Sequence, residues 1–325
     1  MTGSEPRADI VVARPSWAAL LPPVARVRVA VVAMLLLFVY GGAIRTDLVG
    51  RWITDSTWSH GWFIPLFSVY FLWTRRDDLL ASRPAANYLG VVVLVLSLAL
   101  FFVGQWHRMA YPQDVSLLGA IGGVVLLFGG WRVVRVAWLP IVFLMFAIPL
   151  PRVYYVSLTL PLQKLASHIA AAIMPLFAPG LTTSTHGVVI DYDWRGAADH
   201  LNVAEACSGM RSLMMLTALG VAVAYMDRSR PTWQRVIMIV CCIPIAVLCN
   251  MIRVTVTGLM CVYGHQELAR GTPHMVLGVA TFLIAWGLFE LLGFTLARLF
   301  VDDDGPAAAA APAGNADRGG GPGAP

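Results

Sequence analysis

Charge is what this sequence has least of. Only 13% of its 325 residues are Asp, Glu, Lys or Arg, while 58% are hydrophobic; soluble globular chains carry about 25% and about 45–50%. The 23 Lys and Arg and 18 Asp and Glu are too few to clothe a soluble surface. Cysteine is scarce as well, and five in so long a chain exclude a disulfide-stapled scaffold. The 29 glycines follow no period, which excludes collagen, and the apolar excess excludes disorder. There is no His-Glu-x-x-His, no Cys-x-x-Cys, no His pair at ligand spacing with a carboxylate, no Gly-x-Ser-x-Gly elbow and no nucleotide-binding glycine loop. No metal or cofactor is therefore expected. Nor is nucleic acid, because the net charge of +5 is scattered through short loops and forms no basic stripe.

What is present is apolar sequence in long runs, and it predicts an all-α polytopic membrane protein. A spanning helix needs about 20 mostly apolar residues. Eight candidates run near 28–44, 58–74, 88–104, 114–130, 134–150, 207–225, 236–257 and 275–299. The second is the weakest, since Pro65 interrupts it and Trp58-Ser59-His60-Gly61 is partly polar. With the N-terminus inside, the cytoplasmic loops carry Arg75, Arg76 and Arg83, then Arg132 and Arg135, then Arg228, Arg230 and Arg235. The outer loops carry Arg45 and Arg51, then Arg108, then Arg270. This asymmetry favours both termini in the cytoplasm of a multi-pass plasma or inner membrane protein. Trp52, Trp58, Trp62 and Trp106 fit interfacial belts.

The expected organisation is a cytoplasmic tail over 1–27, a transmembrane domain over 28–300 and a disordered cytoplasmic tail over 301–325, rich in Ala, Gly and Pro. Arg7, Arg14, Arg26 and Arg28 precede an apolar run that continues as membrane-type sequence, which argues against a cleavable signal. Residues 151–206 form an extracytoplasmic or interfacial insertion. Its first part, Val153 to Phe177, reads as a lipid-surface or re-entrant helical hairpin broken by Pro161 and Pro175. The β-branched stretch Thr182 to Asp191 reads as a short β-hairpin.

Polar groups within apolar spans are costly and mark function. They collect at Asn202 to Ser212, at Asn250-Met251-Ile252-Arg253 and at Gly271-Thr272-Pro273-His274. Arg253 lies about 26 Å along its span at 1.5 Å per residue, near the outer face. Cys207 and His274 begin spans running the other way, so all three share that boundary. The trio suffices for thiol chemistry. A neighbouring His, Arg or helix N-terminus favours the thiolate of Cys207, His274 can move the proton, and Arg253 can stabilise thiolate or oxyanion. Asn250, three residues before Arg253, shares its helical face and can orient it. Arg211, one turn inside its span, pairs with Glu205, an outer Asp or a substrate.

Glu205-Ala206-Cys207-Ser208-Gly209-Met210-Arg211-Ser212, Asn250-x-x-Arg253 and His274-x-x-x-Gly278 together resemble the exosortase/archaeosortase family. So does the segment from Trp58 through His60 and Pro65 to Arg75-Arg76. The similarity spans roughly residues 50–290. It implies a membrane thiol transpeptidase or endopeptidase with Cys207, Arg253 and His274 as its active site, and with Glu205, Ser208, Gly209, Arg211, Asn250 and His60 in support. The implied substrates are secreted proteins ending in a sorting signal of short motif, hydrophobic helix and basic cluster, cleaved at the outer membrane boundary. Membrane lipids are the other partner, and a link to exopolysaccharide export is also implied.

Blander readings stay open at this level. Cys207 can be an inert packing residue or pair with Cys261, while Cys241, Cys242 and Cys249 read as packing residues. Arg253 can snorkel to the interface, His274 can cap a helix after Pro273, and His60 can be a plain interfacial residue. A different class, a transporter or export subunit for surface polysaccharide, would use Arg253 and Arg211 to line an anionic path. It would show repeats and broken helices at mid-membrane; the polar residues lie at the boundary instead. The topology predicts that a membrane-impermeant thiol reagent labels a single Cys placed at Ser184, and not one at Ser229, in intact cells. The opposite pattern means a miscounted span.

Overall fold

A computed structural model of the protein describes residues 23–203, 209–227, 230–265 and 271–299, with backbone only at 209–212 and 271–275. Lipid offers backbone groups no hydrogen-bonding partner, so apolar segments satisfy their own as helices. Helix α1 (Pro23–Ala43) continues through a π-helical turn (Ile44–Val49) into α2 (Gly50–Thr54). A 3₁₀ turn (Ser59–Trp62) leads into α3 (Phe63–Thr74), followed by α4 (Arg76–Ala81), α5 (Leu89–Trp106) and α6 (Ala110–Phe143). After a second 3₁₀ turn (Leu144–Ala147) come α7 (Arg152–Phe177), three strands, α8 (Gly209–Met226), α9 (Thr232–Val262) and α10 (Gly271–Leu299).

Among the described residues, five helical stretches are long and apolar enough to cross a membrane: Pro23–Thr54, Leu89–Trp106, Ala110–Ala147, Thr232–Val262 and Val276–Leu299. The expected span at 58–74 is shorter than anticipated, its helix proper holding only 12 residues. Leu213–Met226 is likewise a shorter apolar helix. The expected spans 114–130 and 134–150 form one stretch, but Gly130 breaks it with φ 70° and ψ −175°. The connection before α5 crosses this point, where Ala85 N–H donates to the Gly129 carbonyl and Asn87 N–H to that of Leu127. Near the other ends of the two halves, Tyr40 hydroxyl meets Ser116 Oγ at 3.0 Å and Trp52 Nε1 donates to the Ala147 carbonyl at 2.9 Å. Trp52 and Trp58 are buried, correcting their interfacial placement; Trp62 and Trp106 are exposed.

The stretch expected to be a broken hairpin is one continuous helix: α7 runs 26 residues through both Pro161 and Pro175. A proline removes one backbone bond, whereas a full break strands several. Packing explains why the helix holds. Ala166, Ala170, Ala171 and Met174 of α7 join Val254 and Val262 of α9 in one buried cluster. Gly258 permits the approach, since a side chain there would place its Cβ 2.7 Å from Met174 Sδ.

Strands β1 (Thr182–His186), β2 (Val189–Trp194) and β3 (Ala197–Asn202) form an antiparallel meander in the order β1-β2-β3, one strand more than a hairpin. His186 pairs with Val189 around Gly187, at φ 68°, and Trp194 with Ala197 around Arg195 and Gly196, at φ 57° and 82°. These positive φ values suit two-residue turns. Ile190, Tyr192 and Leu201 bury one face of the sheet on α7 and α9.

Helix α8 packs antiparallel on α9. A Cβ on Gly220 would lie 2.1 Å from Cys242 Sγ; further toward the sheet end, Leu216 shares a small cavity with Cys249 and Asn250. At the opposite end Arg230 donates from Nη1 to the Gly293 carbonyl of α10 at 2.5 Å. The Gly130 reversal is a region of backbone space that essentially only glycine occupies. A Cβ there would also meet the Ala85 carbonyl oxygen at 2.1 Å. Gly130→Ala should therefore destabilise the protein by about 1–3 kcal/mol or more, read as a lower Tm in detergent. Gly122→Ala, with nothing within 4 Å of its Cβ, should leave Tm unchanged or raise it.

Candidate functional site

The site is built on the sheet end of α9. Residues 250, 253 and 257 recur at helical spacing, so Asn250, Arg253 and Thr257 make a polar stripe along one face of a largely apolar helix. All three are buried, Arg253 to 2% exposure. That excludes a side chain running out along the lipid interface. Arginine cannot shed its proton, so its charge has to be met inside the protein. Arg253 Nη2 donates to Asn250 Oδ1 at 3.0 Å, one helical turn back. Its Nη1 reaches α10, lying 3.8 Å from where a Cβ on Gly278 would stand. The guanidinium thus lies against α10 at Gly278, with room left for a Cβ in ordinary contact.

Helix α10 begins at Gly271, seven residues before Gly278, where the polar stripe meets it. His274 falls in its first turn, four residues before Gly278 and thus on the same face; its side chain is outside the described residues. Gly209 is the first residue of α8 and Arg211 lies in the first turn, with its side chain also outside. Glu205, Cys207 and Ser208 fall in 204–208, outside the described residues. The chain is pinned up to that segment. Val203 is fully buried, and its N–H donates to the Val188 carbonyl. His60 is buried too, with Nε2 3.2 Å from the Phe146 carbonyl oxygen and its ring 5.9 Å from that of Trp58.

The structure thus joins Asn250, Arg253 and the Gly278 face of α10. It holds His60 on a different pair of elements. Cys242 is fully buried within the bundle, its thiol donating to the Met238 carbonyl, and Cys249 is buried as well. Cys241 and Cys261 are half-buried, the latter against the sheet's core cluster. Sequence reasoning missed Thr257. The signal was there in its position four residues after Arg253. On the sheet, burial and the Asp199 carboxylate push the Tyr192 phenol up to about 12, so it stays a neutral donor to Asp199.

The site is thus a buried cation within a multi-helix membrane bundle, set against α10 two turns from its start. Residues 52–291 match the family model of the transmembrane exosortases, and the chain belongs to that family. Comparisons with curated proteins and with solved structures gave no match.

The Asn250–Arg253 bond carries a charge in a dry setting, where such bonds contribute about 1.5–3 kcal/mol. Asn250→Leu should lose stability on that order, measured by thermal unfolding in detergent, while Leu248→Ala on the exposed face of α9 should change little.

Proposed function

We propose that the protein is a membrane cysteine endopeptidase or transpeptidase that cleaves the C-terminal sorting signals of secreted proteins. The observation that carries this reading is the buried Arg253, held by Asn250 and laid against α10 one turn from His274. A permanently charged group at that depth has a function to perform. Family membership supplies the general activity, a membrane sorting transpeptidase.

In this reading the Cys207 thiolate adds to the scissile carbonyl carbon, and Arg253 stabilises the oxyanion that forms. Collapse breaks the C–N bond as His274 delivers its proton to the departing amine, leaving a thioester. Water or another nucleophile then attacks the thioester, His274 takes its proton and Cys207 departs as thiolate. Glu205, Ser208, Gly209, Arg211 and His60 support the site or the substrate. We further read the chain as eight crossings, with 1–27 and 301–325 as cytoplasmic tails and the sheet extracytoplasmic. The reversal at Gly130 supports counting Ala110–Ala147 as two of the eight. A scissile bond just above the substrate's own membrane helix would then meet the site at its own depth.

Cys207→Ala and Cys207→Ser should both abolish processing of a secreted protein that ends in such a signal, since serine lacks thiol-like acidity. Cys241→Ala, Cys242→Ala and Cys249→Ala should retain it. Arg253→Lys should lose on the order of 10²-fold, the cost of one transition-state donor, because lysine cannot reproduce the guanidinium fork. His274→Ala should lose about 10²–10⁴-fold. Processing by Cys207→Ala at the parental rate removes the nucleophile assignment.

A further inference from the structure

Thr257 is 1% exposed and its hydroxyl has no hydrogen-bond partner. A buried helical threonine has an easy remedy, donation to the carbonyl three or four residues back. Thr255, two residues earlier, takes it, bonding the Met251 carbonyl at 2.9 Å. So do Thr159 on α7 and Thr281 on α10, at 2.8 and 2.9 Å. Thr257 declines that bond and leaves a polar group dry, which is destabilising. Strain of this kind collects where a ligand relieves it.

Its position says which ligand. Thr257 lies four residues beyond Arg253, on the same face of α9 and one turn nearer the end where α8 and α10 begin. The antiparallel packing of α8 on α9 climbs from Gly220 beside Cys242 to Leu213 beside Asn250. Continued for one more turn, it brings the first residue of α8 level with Arg253 and below Thr257. The neighbouring flank of α9, at Gly258, is already closed by Met174.

We infer that Thr257 is a substrate-binding residue whose hydroxyl donates a hydrogen bond to a peptide carbonyl of the sorting signal, beside the scissile bond. This rests on the cysteine-peptidase reading of the site. An extended peptide carries carbonyl acceptors along its whole length, and a hydroxyl with no intramolecular acceptor is a matching donor. The adjacent guanidinium then bears on the reacting carbonyl while Thr257 fixes its neighbour.

The two roles open to this hydroxyl predict opposite results. If it is structural dead weight, Thr257→Val, which keeps the shape, leaves activity unchanged. If it binds substrate, the same variant loses activity although the folded protein gains stability. The experiment uses full-length protein and a reporter ending in the motif–helix–basic tail of a secreted protein from the same cells. Expected are a loss of about tenfold in kcat/KM for Thr257→Val, near-parental activity for Thr257→Ser, and an unchanged or higher Tm for Thr257→Val. The rate of Cys207 alkylation by iodoacetamide should not move. Parental processing by Thr257→Val overturns the inference, as does a lower Tm that Thr257→Ser restores, or slowed alkylation, which would place the hydroxyl on the thiol. Cys207→Ala is run beside it: activity there sinks the peptidase reading itself, whereas an inactive Cys207→Ala with a fully active Thr257→Val sinks only the role of Thr257.

Discussion

A guanidinium that never loses its proton dictates the structure around it wherever a chain buries it. In this protein that group is Arg253, and removing it from water is costly unless its donors are matched. The consequences extend outward from α9. Asn250 supplies an acceptor one turn back, and α10 lies against the guanidinium at Gly278. The same helix has to pack tightly on its other flank, where Gly258 admits Met174 of α7. Arg253 thus sits where α9 meets α10, while Gly258 brings α7 against another flank of α9.

The sheet belongs to the same construction. Its buried face shares a core with α7 and α9, including Val254, the neighbour of Arg253. The final strand runs in register with β2 as far as Asn202. The chain is therefore held as far as Val203, and a small β element, unusual beside so much helix, packs on the same end of α9 that carries Arg253. At the far end Arg230 ties the α8–α9 connection to α10 through the Gly293 carbonyl.

Much of this was legible in the residues. Apolar runs located the helices, and the three polar clusters singled out Asn250 and Arg253 by their spacing alone. What escaped has physical causes. Pro161 and Pro175 signalled a break in α7, but lateral packing on α9 outweighed two missing hydrogen bonds. Strand β3 was missed because its turn is Arg195-Gly196, with an arginine at positive φ in place of the usual Asn or Asp. Trp52 looked interfacial by composition, yet its indole N–H is drawn inward by the Ala147 carbonyl. Thr257 escaped because threonines inside helices ordinarily satisfy themselves, and only a three-dimensional accounting of hydrogen bonds exposes one that does not.

The two turns of the meander differ in kind from everything else at this end of the molecule. Gly187 and Gly196 have open space around a prospective Cβ, but the Gly187 carbonyl accepts a hydrogen bond from the buried Ser167 Oγ of α7, which leaves the Gly196 turn the freer of the two. Length added at the Arg195-Gly196 turn is absorbed outside the bundle, whereas length added after Asn202 enters the connection to α8 directly. An epitope or a fluorescent domain can therefore be grafted at the Arg195-Gly196 turn while the buried face of the sheet stays on α7 and α9.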